Sequence, residues 1–116
     1  MAVISPLSLL RRGKRKAHQV VQALTSLSLL LWTFSVAYYC TGHRSNYGQS
    51  LSKAEAFYFA VTVLSTTGFG DISPLTDGTR LLVSLQMLLG LVFFAVVVAS
   101  LVSAISEGGG ERKAPP

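Results

Sequence analysis

The sequence predicts an all-α membrane protein in which two transmembrane helices flank a short re-entrant helix and a glycine-bearing loop. Three observations predict it. Half of the 116 residues are hydrophobic and only 13% are charged, where a soluble domain carries roughly a quarter. The ten lysines and arginines leave two long stretches empty, 17–43 and 81–111. Between those stretches stands an apolar segment too short to cross a bilayer, ended by two glycines one residue apart. A nucleic-acid binder carrying the same net charge of +5 would spread its bases over a face or along a helix. Here the charge sits outside the apolar stretches.

The chemistry-bearing residues point the same way. Cys40 is the one cysteine, so no disulfide closes within the chain and no zinc spacing exists; it reads as a small buried apolar residue. His18 and His43 lie on either side of the first apolar stretch and read as interfacial polar residues. No nucleophile–base pair stands out, and no enzyme activity is expected. One domain is the limit at this length.

The first span is expected over residues 19–41, since about 20 apolar residues cross a bilayer core as a helix. Residues 1–10 suggest a short interfacial helix with Pro6 near its start. The basic run at 11–16 (Arg11, Arg12, Lys14, Arg15, Lys16) directly precedes the span, so residues 1–17 are expected in the cytoplasm by the positive-inside rule. The run also suits anionic lipid headgroups. A secretory leader over 1–37 is the rival reading, with Ser35-Val36-Ala37 as cleavage site; the apolar stretch is longer than a leader's core, and bulky aromatics follow it. Tyr38 and Tyr39 suit an interfacial belt, whereas Trp32 is too central for one.

Residues 42–50 are rich in turn formers and read as an exposed loop. Ser52-Lys53-Ala54-Glu55 is a capping box, in which Ser52 caps a helix and Glu55 reaches back. The helix it opens, 53–65, is too apolar for a surface loop and, at about 20 Å, too short to span. It suits a re-entrant helix that dips into the membrane and stops. The stop is Thr66-Thr67-Gly68-Phe69-Gly70-Asp71, with Ile72-Ser73-Pro74 returning the chain outward. Irregular backbone at membrane depth survives only where it is buried in protein or lines a wet cavity. Gly68 and Gly70 permit positive φ values, so successive carbonyls can face one side. One strip of oxygens cannot enclose a cation, and several copies around a symmetry axis can. The expected assembly is therefore an oligomer.

The second span is expected over 80–106. Its neutral part, 26 residues or about 39 Å, exceeds a core of roughly 30 Å and implies tilt or overrun. Gly90 sits inside it as a bend or as a close-packing point. Phe94, Val98, Val102 and Ser106 recur at fourfold spacing and share a face; Ala95, Ala99 and Ser103 form a neighbouring face of small residues. After Glu107, Gly108-Gly109-Gly110 is expected to end the helix, leaving 108–116 as a polar tail on the same side as the N-terminus.

The tract from Thr62 to Pro74 resembles the pore signature of the two-transmembrane-helix tetrameric potassium channels, and the order of helices around it resembles theirs over 18–107. The resemblance implies a pore domain over 18–107 with a selectivity-filter loop at 66–71, assembled as a homotetramer in the cell membrane. It implies K+ as the permeant ion, coordinated by the carbonyls of Thr66, Thr67, Gly68 and Phe69 and by the Thr66 hydroxyl, so that protein oxygens replace the hydration shell. Thr67 stands where the family commonly has valine and Phe69 where it has tyrosine. Both side chains point away from the pore in the family, so the carbonyl lining persists while one bracing hydroxyl is lost. Asp71, with Tyr58 as its donor, would support the filter together with Gly70. Thr62 occupies the place where some members carry a second carboxylate. Gly90 matches the hinge, with Phe94, Val98, Val102 and Ser106 as pore or gate residues. The carboxyl end of helix 53–65 would favour a cation nearby, and Glu55 and Asp77 could add negative potential at the mouth. The alternatives are a nonselective monovalent cation channel and an accessory subunit of a larger membrane complex. With no charged voltage-sensing helix ahead of the pore and no nucleotide- or calcium-binding domain after it, opening is expected to depend on the pore itself, a lipid, a proton or a partner.

Overall fold

The computed structural model describes residues 6–110. It contains four helices in order: α1 (Pro6–Cys40), α2 (Arg44–Tyr47), α3 (Lys53–Leu64) and α4 (Asp77–Gly110). α1 and α4 are each long and apolar enough to cross a membrane. The molecule is 68 Å in its longest dimension, well beyond the roughly 40–45 Å of a whole bilayer. Both long helices therefore outrun the apolar core.

α1 is one uninterrupted helix rather than a short interfacial helix followed by a span. Pro6 fits its first turn, where a missing N–H costs nothing. The basic run simply continues the helix, since lysine and arginine are good helix formers. The polar residues of the span serve their own backbone: Thr25, Ser28 and Thr33 donate to the carbonyls of Val21, Leu24 and Leu29 at 2.7–2.8 Å. Four residues back is the natural reach of such a hydroxyl, and it leaves no polar group unpaired in an apolar surround.

The segment expected to be an exposed loop is folded. α2 occupies its middle, with Gly42 and Tyr47 buried. A side chain at Gly42 would come within 2.8 Å of Leu51 Cβ and of the Tyr38 carbonyl, so only glycine lets the chain turn this closely. Asn46 then ties the segment across: its amide donates to the Thr41 carbonyl at 2.8 Å, and its carbonyl accepts from Leu75 N–H at 2.8 Å.

α3 starts at its capping box, with Glu55 N–H on Ser52 Oγ at 3.2 Å and Ser52 N–H on the Glu55 carboxylate at 2.7 Å. It ends at Leu64, with Ser65 as its C-cap. α3 packs chiefly against α1, more lightly against α4. The core is aromatic: the Tyr38 and Phe59 rings meet edge-on at 4.7 Å, with Tyr47 on Phe59 at 5.8 Å, contacts that add about 0.5–1.5 kcal/mol each beyond burial. Tyr38 is therefore a core residue with no exposure, not an interfacial anchor. Tyr39 is half-exposed, and Trp32 is exposed on the far side against Phe57. Cys40, expected buried, is exposed.

α4 begins three residues earlier than the sequence suggests and continues through the three glycines. Its start is a reciprocal pair: Thr79 N–H reaches Thr76 Oγ1 at 3.3 Å and Thr76 N–H reaches Thr79 Oγ1 at 3.2 Å, a threonine version of the capping box. At the other end, extending a long helix needs no new nucleus, so Gly108-Gly109-Gly110 weaken the last turn without breaking it. The remaining tail, 111–116, and residues 1–5 lie outside the described residues.

Candidate functional site

The site is the loop between α3 and Ile72. Thr66 has φ 60°, Gly68 φ 53° and Gly70 φ 80°, while Thr67 and Phe69 between them keep negative values. This alternation of handedness lines up successive peptide groups on one side. Thr66 is the only non-glycine with positive φ among the described residues, a conformation that costs a β-branched residue about 1–2 kcal/mol. The sequence shows the freedom of the two glycines but not the strain at Thr66.

Which pole the peptides present follows from the end of α3. The Thr62 carbonyl accepts N–H bonds from both Thr67, at 3.0 Å, and Gly68, at 3.2 Å. All peptide bonds here are trans, and in a trans peptide the carbonyl points opposite to its N–H. The carbonyls of Thr66 and Thr67 are therefore turned away from α3. No hydrogen bond among the described residues uses the carbonyls of Thr66, Thr67, Gly68 or Phe69.

The side chains go the other way. Thr67 Oγ1 pairs with Ser65 Oγ at 2.7 Å, back against the end of α3. The Phe69 ring stacks on Tyr58 of α3, with centroids 6.1 Å apart and planes 11° from parallel. The Tyr58 hydroxyl lies beside Asp71. α3, Phe69 and Asp71 thus form a brace on one side of the strip. Thr62 belongs to it through its backbone oxygen, while its hydroxyl donates to the Phe59 carbonyl at 2.9 Å.

Three further groups complete the setting. Glu55 spends its carboxylate on its own helix cap, and Asp77 is fully exposed with Arg80 at 3.8 Å, an ion pair worth little in water. Gly90 lies in unbroken helix and buried, where an added Cβ would stand 3.1 Å from Leu64 Cδ1. Phe94, Val98, Val102 and Ser106 follow it along α4, exposed on this single chain. Among the described residues no group of three His, Cys, Asp or Glu could hold a metal ion.

Sequence reasoning missed one residue altogether. Gln86, in the most apolar helix, is fully buried. It accepts from the Tyr38 hydroxyl at 2.5 Å and donates to the Ala60 carbonyl at 2.8 Å. No buried side-chain polar atom among the described residues lacks a partner. A neutral amide at one position changes neither charge nor hydropathy enough to be noticed.

Two membrane-length helices around a braced re-entrant helix, with a loop of unspent carbonyls at its end, define a pore-loop membrane protein. Residues 25–107 match the sequence model of a family described as "Ion channel". The potassium channel subfamily K member 2 of Rattus norvegicus is 38% identical over 58 residues, 50% of this chain and 14% of that protein. The voltage-gated potassium channel Kch of Escherichia coli (strain K12) is 35% identical over 54 residues, 47% of this chain and 13% of that one. The two-pore potassium channel 4 of Arabidopsis thaliana is 30% identical over 92 residues, 78% and 32% respectively. The chain thus spans a third or less of these relatives' lengths. A voltage-gated K+ channel pore module, crystallised in a closed state in lipid membranes, superimposes with a TM-score of 0.61 at 22% identity. That match covers 77% of this chain and 92% of the other; it speaks to the fold. The chain belongs to this ion-channel family, in its two-helix, pore-loop form. The family is one of channels, not of enzymes.

Proposed function

We propose that the protein is a potassium-selective channel, passing K+ passively down its gradient through a homotetramer in the cell membrane. The observation that carries this reading is the strip of four carbonyls, Thr66 to Phe69, left without hydrogen-bond partners on a backbone of alternating handedness. Four such strips around an axis would surround a dehydrated monovalent cation, the Thr66 hydroxyl adding the lowest site, and successive sites would let ions repel one another through. Gly70, Asp71, Tyr58 and Thr62 would hold the strip in place. Relatives named as potassium channels support the choice of ion. Both termini would face the cytoplasm, where the basic run at 11–16 would meet anionic lipid. Gly90 would allow α4 to bend, with Phe94, Val98, Val102 and Ser106 lining the conduction path below the filter.

Purified protein in liposomes tests this. The expected result is a K+ flux that reverses at the K+ Nernst potential, far exceeds Na+ flux and is blocked by barium. Equal Na+ and K+ fluxes would replace it with the nonselective reading. No flux from a verified tetramer would favour an accessory subunit.

A further inference from the structure

Gln86 stands where α1, α3 and α4 meet, and among the described residues its amide is the only side chain to bond both other helices. Its oxygen takes the Tyr38 hydroxyl of α1 at 2.5 Å and its nitrogen gives to the Ala60 carbonyl of α3 at 2.8 Å. Ala60 lies inside α3, so its carbonyl already serves the helix ladder; the bond from Gln86 uses the second lone pair. One turn further along both helices, Gly90 rests against Leu64. The i, i+4 pair Gln86 and Gly90 thus faces the i, i+4 pair Ala60 and Leu64. Gly90 makes a contact that tolerates sliding. The amide does not.

Packing alone does not call for this arrangement. A phenylalanine at 38 and an apolar residue at 86 would fill the space with no polar group to satisfy, and replacing both partners of a buried bond costs little. The polar pair instead fixes a register. If α3 moved along α4 by one residue's rise of about 1.5 Å, the amide and the tyrosine would both lose partners in an apolar surround. Two residues beyond Ala60, the Thr62 carbonyl holds the N–H groups of Thr67 and Gly68. A shift of α3 is therefore a shift of the loop.

We propose that Gln86 is a positioning residue for conduction, setting the depth of α3 against α4 and so the place of the carbonyls from Thr66 to Phe69. The proposal rests on the channel reading given above. The full chain is reconstituted in liposomes, and wild-type K+ flux is established first; its absence sinks the channel reading itself. The Rb+/K+ permeability ratio and the barium dissociation constant are then compared for Tyr38→Phe, Gln86→Met and the two combined. Gln86→Met and the double variant are expected to assemble and to shift both quantities by about threefold or more, the size that such couplings reach. Tyr38→Phe keeps the bond to Ala60 and is expected to stay within about twofold. A double variant that assembles with wild-type selectivity and barium block overturns the proposal. Should the Gln86 variants not assemble, the wild-type tetramer decides by NMR in lipid. Lowering K+ is expected to move the Gln86 side-chain amide signal together with the backbone signals of Gly68 and Gly70. An amide signal that stays still while the glycine signals move overturns the proposal as well.

Discussion

At the scale of single residues, the loop is a division of labour between backbone and side chains. The carbonyls of Thr66 and Thr67 face away from α3 because their neighbours' N–H groups are claimed by Thr62, and the side chains of Thr67 and Phe69 face α3 because Ser65 and Tyr58 hold them there. Asp71 stands beside the Tyr58 hydroxyl. Asp71→Ala removes that neighbour and leaves the stacked rings alone to resist movement of the loop. The conducting lifetime in single-channel recordings is therefore expected to fall severalfold. Wild-type currents and lifetimes in Asp71→Ala would remove Asp71 from the brace. The glycine pair and the acid after it are legible in the chain itself, since two glycines one residue apart end an apolar helix between two apolar stretches. Thr66 is not. Nothing about a β-branched residue advertises a left-handed backbone; it is held there by Thr62 and the end of α3, which only folding brings together.

At the scale of elements, α3 is placed by three kinds of contact: a capping box at its start, aromatic packing on α1, and the Gln86–Gly90 edge of α4. The capping box and the apolar spans follow from local pattern, and so can be read in sequence. The ends of α1 and α4 cannot, because a long helix propagates past weak stop signals such as Gly108-Gly109-Gly110. Nor can the turn at Gly42 or the partnership of Tyr38, Gln86 and Ala60, each of which needs residues far apart in the chain. Gly90 carries the prediction at this scale. An alanine there gains about 1 kcal/mol of helix propensity, against crowding of a single flexible atom, Leu64 Cδ1, 3.1 Å away. Gly90→Ala is expected to assemble with a thermal midpoint at or above that of the wild type. Gly90→Phe has no such escape and must push α3 off α4, lowering the midpoint by several degrees, since overpacking costs about 1–3 kcal/mol. Equal midpoints for both variants would mean that α3 does not rest on α4 at Gly90.

At the scale of the whole molecule, much of what one chain presents is uncovered. The loop carbonyls lack partners and the apolar faces of α4 from Leu81 to Ile105 are largely exposed. Lipid can cover an apolar face, but it offers nothing to a row of peptide oxygens. Copies of the same loop around an axis, with a cation between them, would satisfy those oxygens at once, and under the proposed function the loop would be a shared property of all the copies. Sharing has a numerical consequence. Gly68 has φ 53°, and Gly68→Val places a β-branched residue in a conformation that it scarcely tolerates. If a single distorted strip spoils the ring, channels survive only when every copy is wild type. With equal amounts of wild-type and Gly68→Val chains, about one sixteenth of the K+ flux should remain for four copies assembled at random. Across mixing ratios the flux should follow the fourth power of the wild-type fraction. Flux that falls in simple proportion to that fraction would mean that each chain conducts alone, and the shared loop would have to be abandoned.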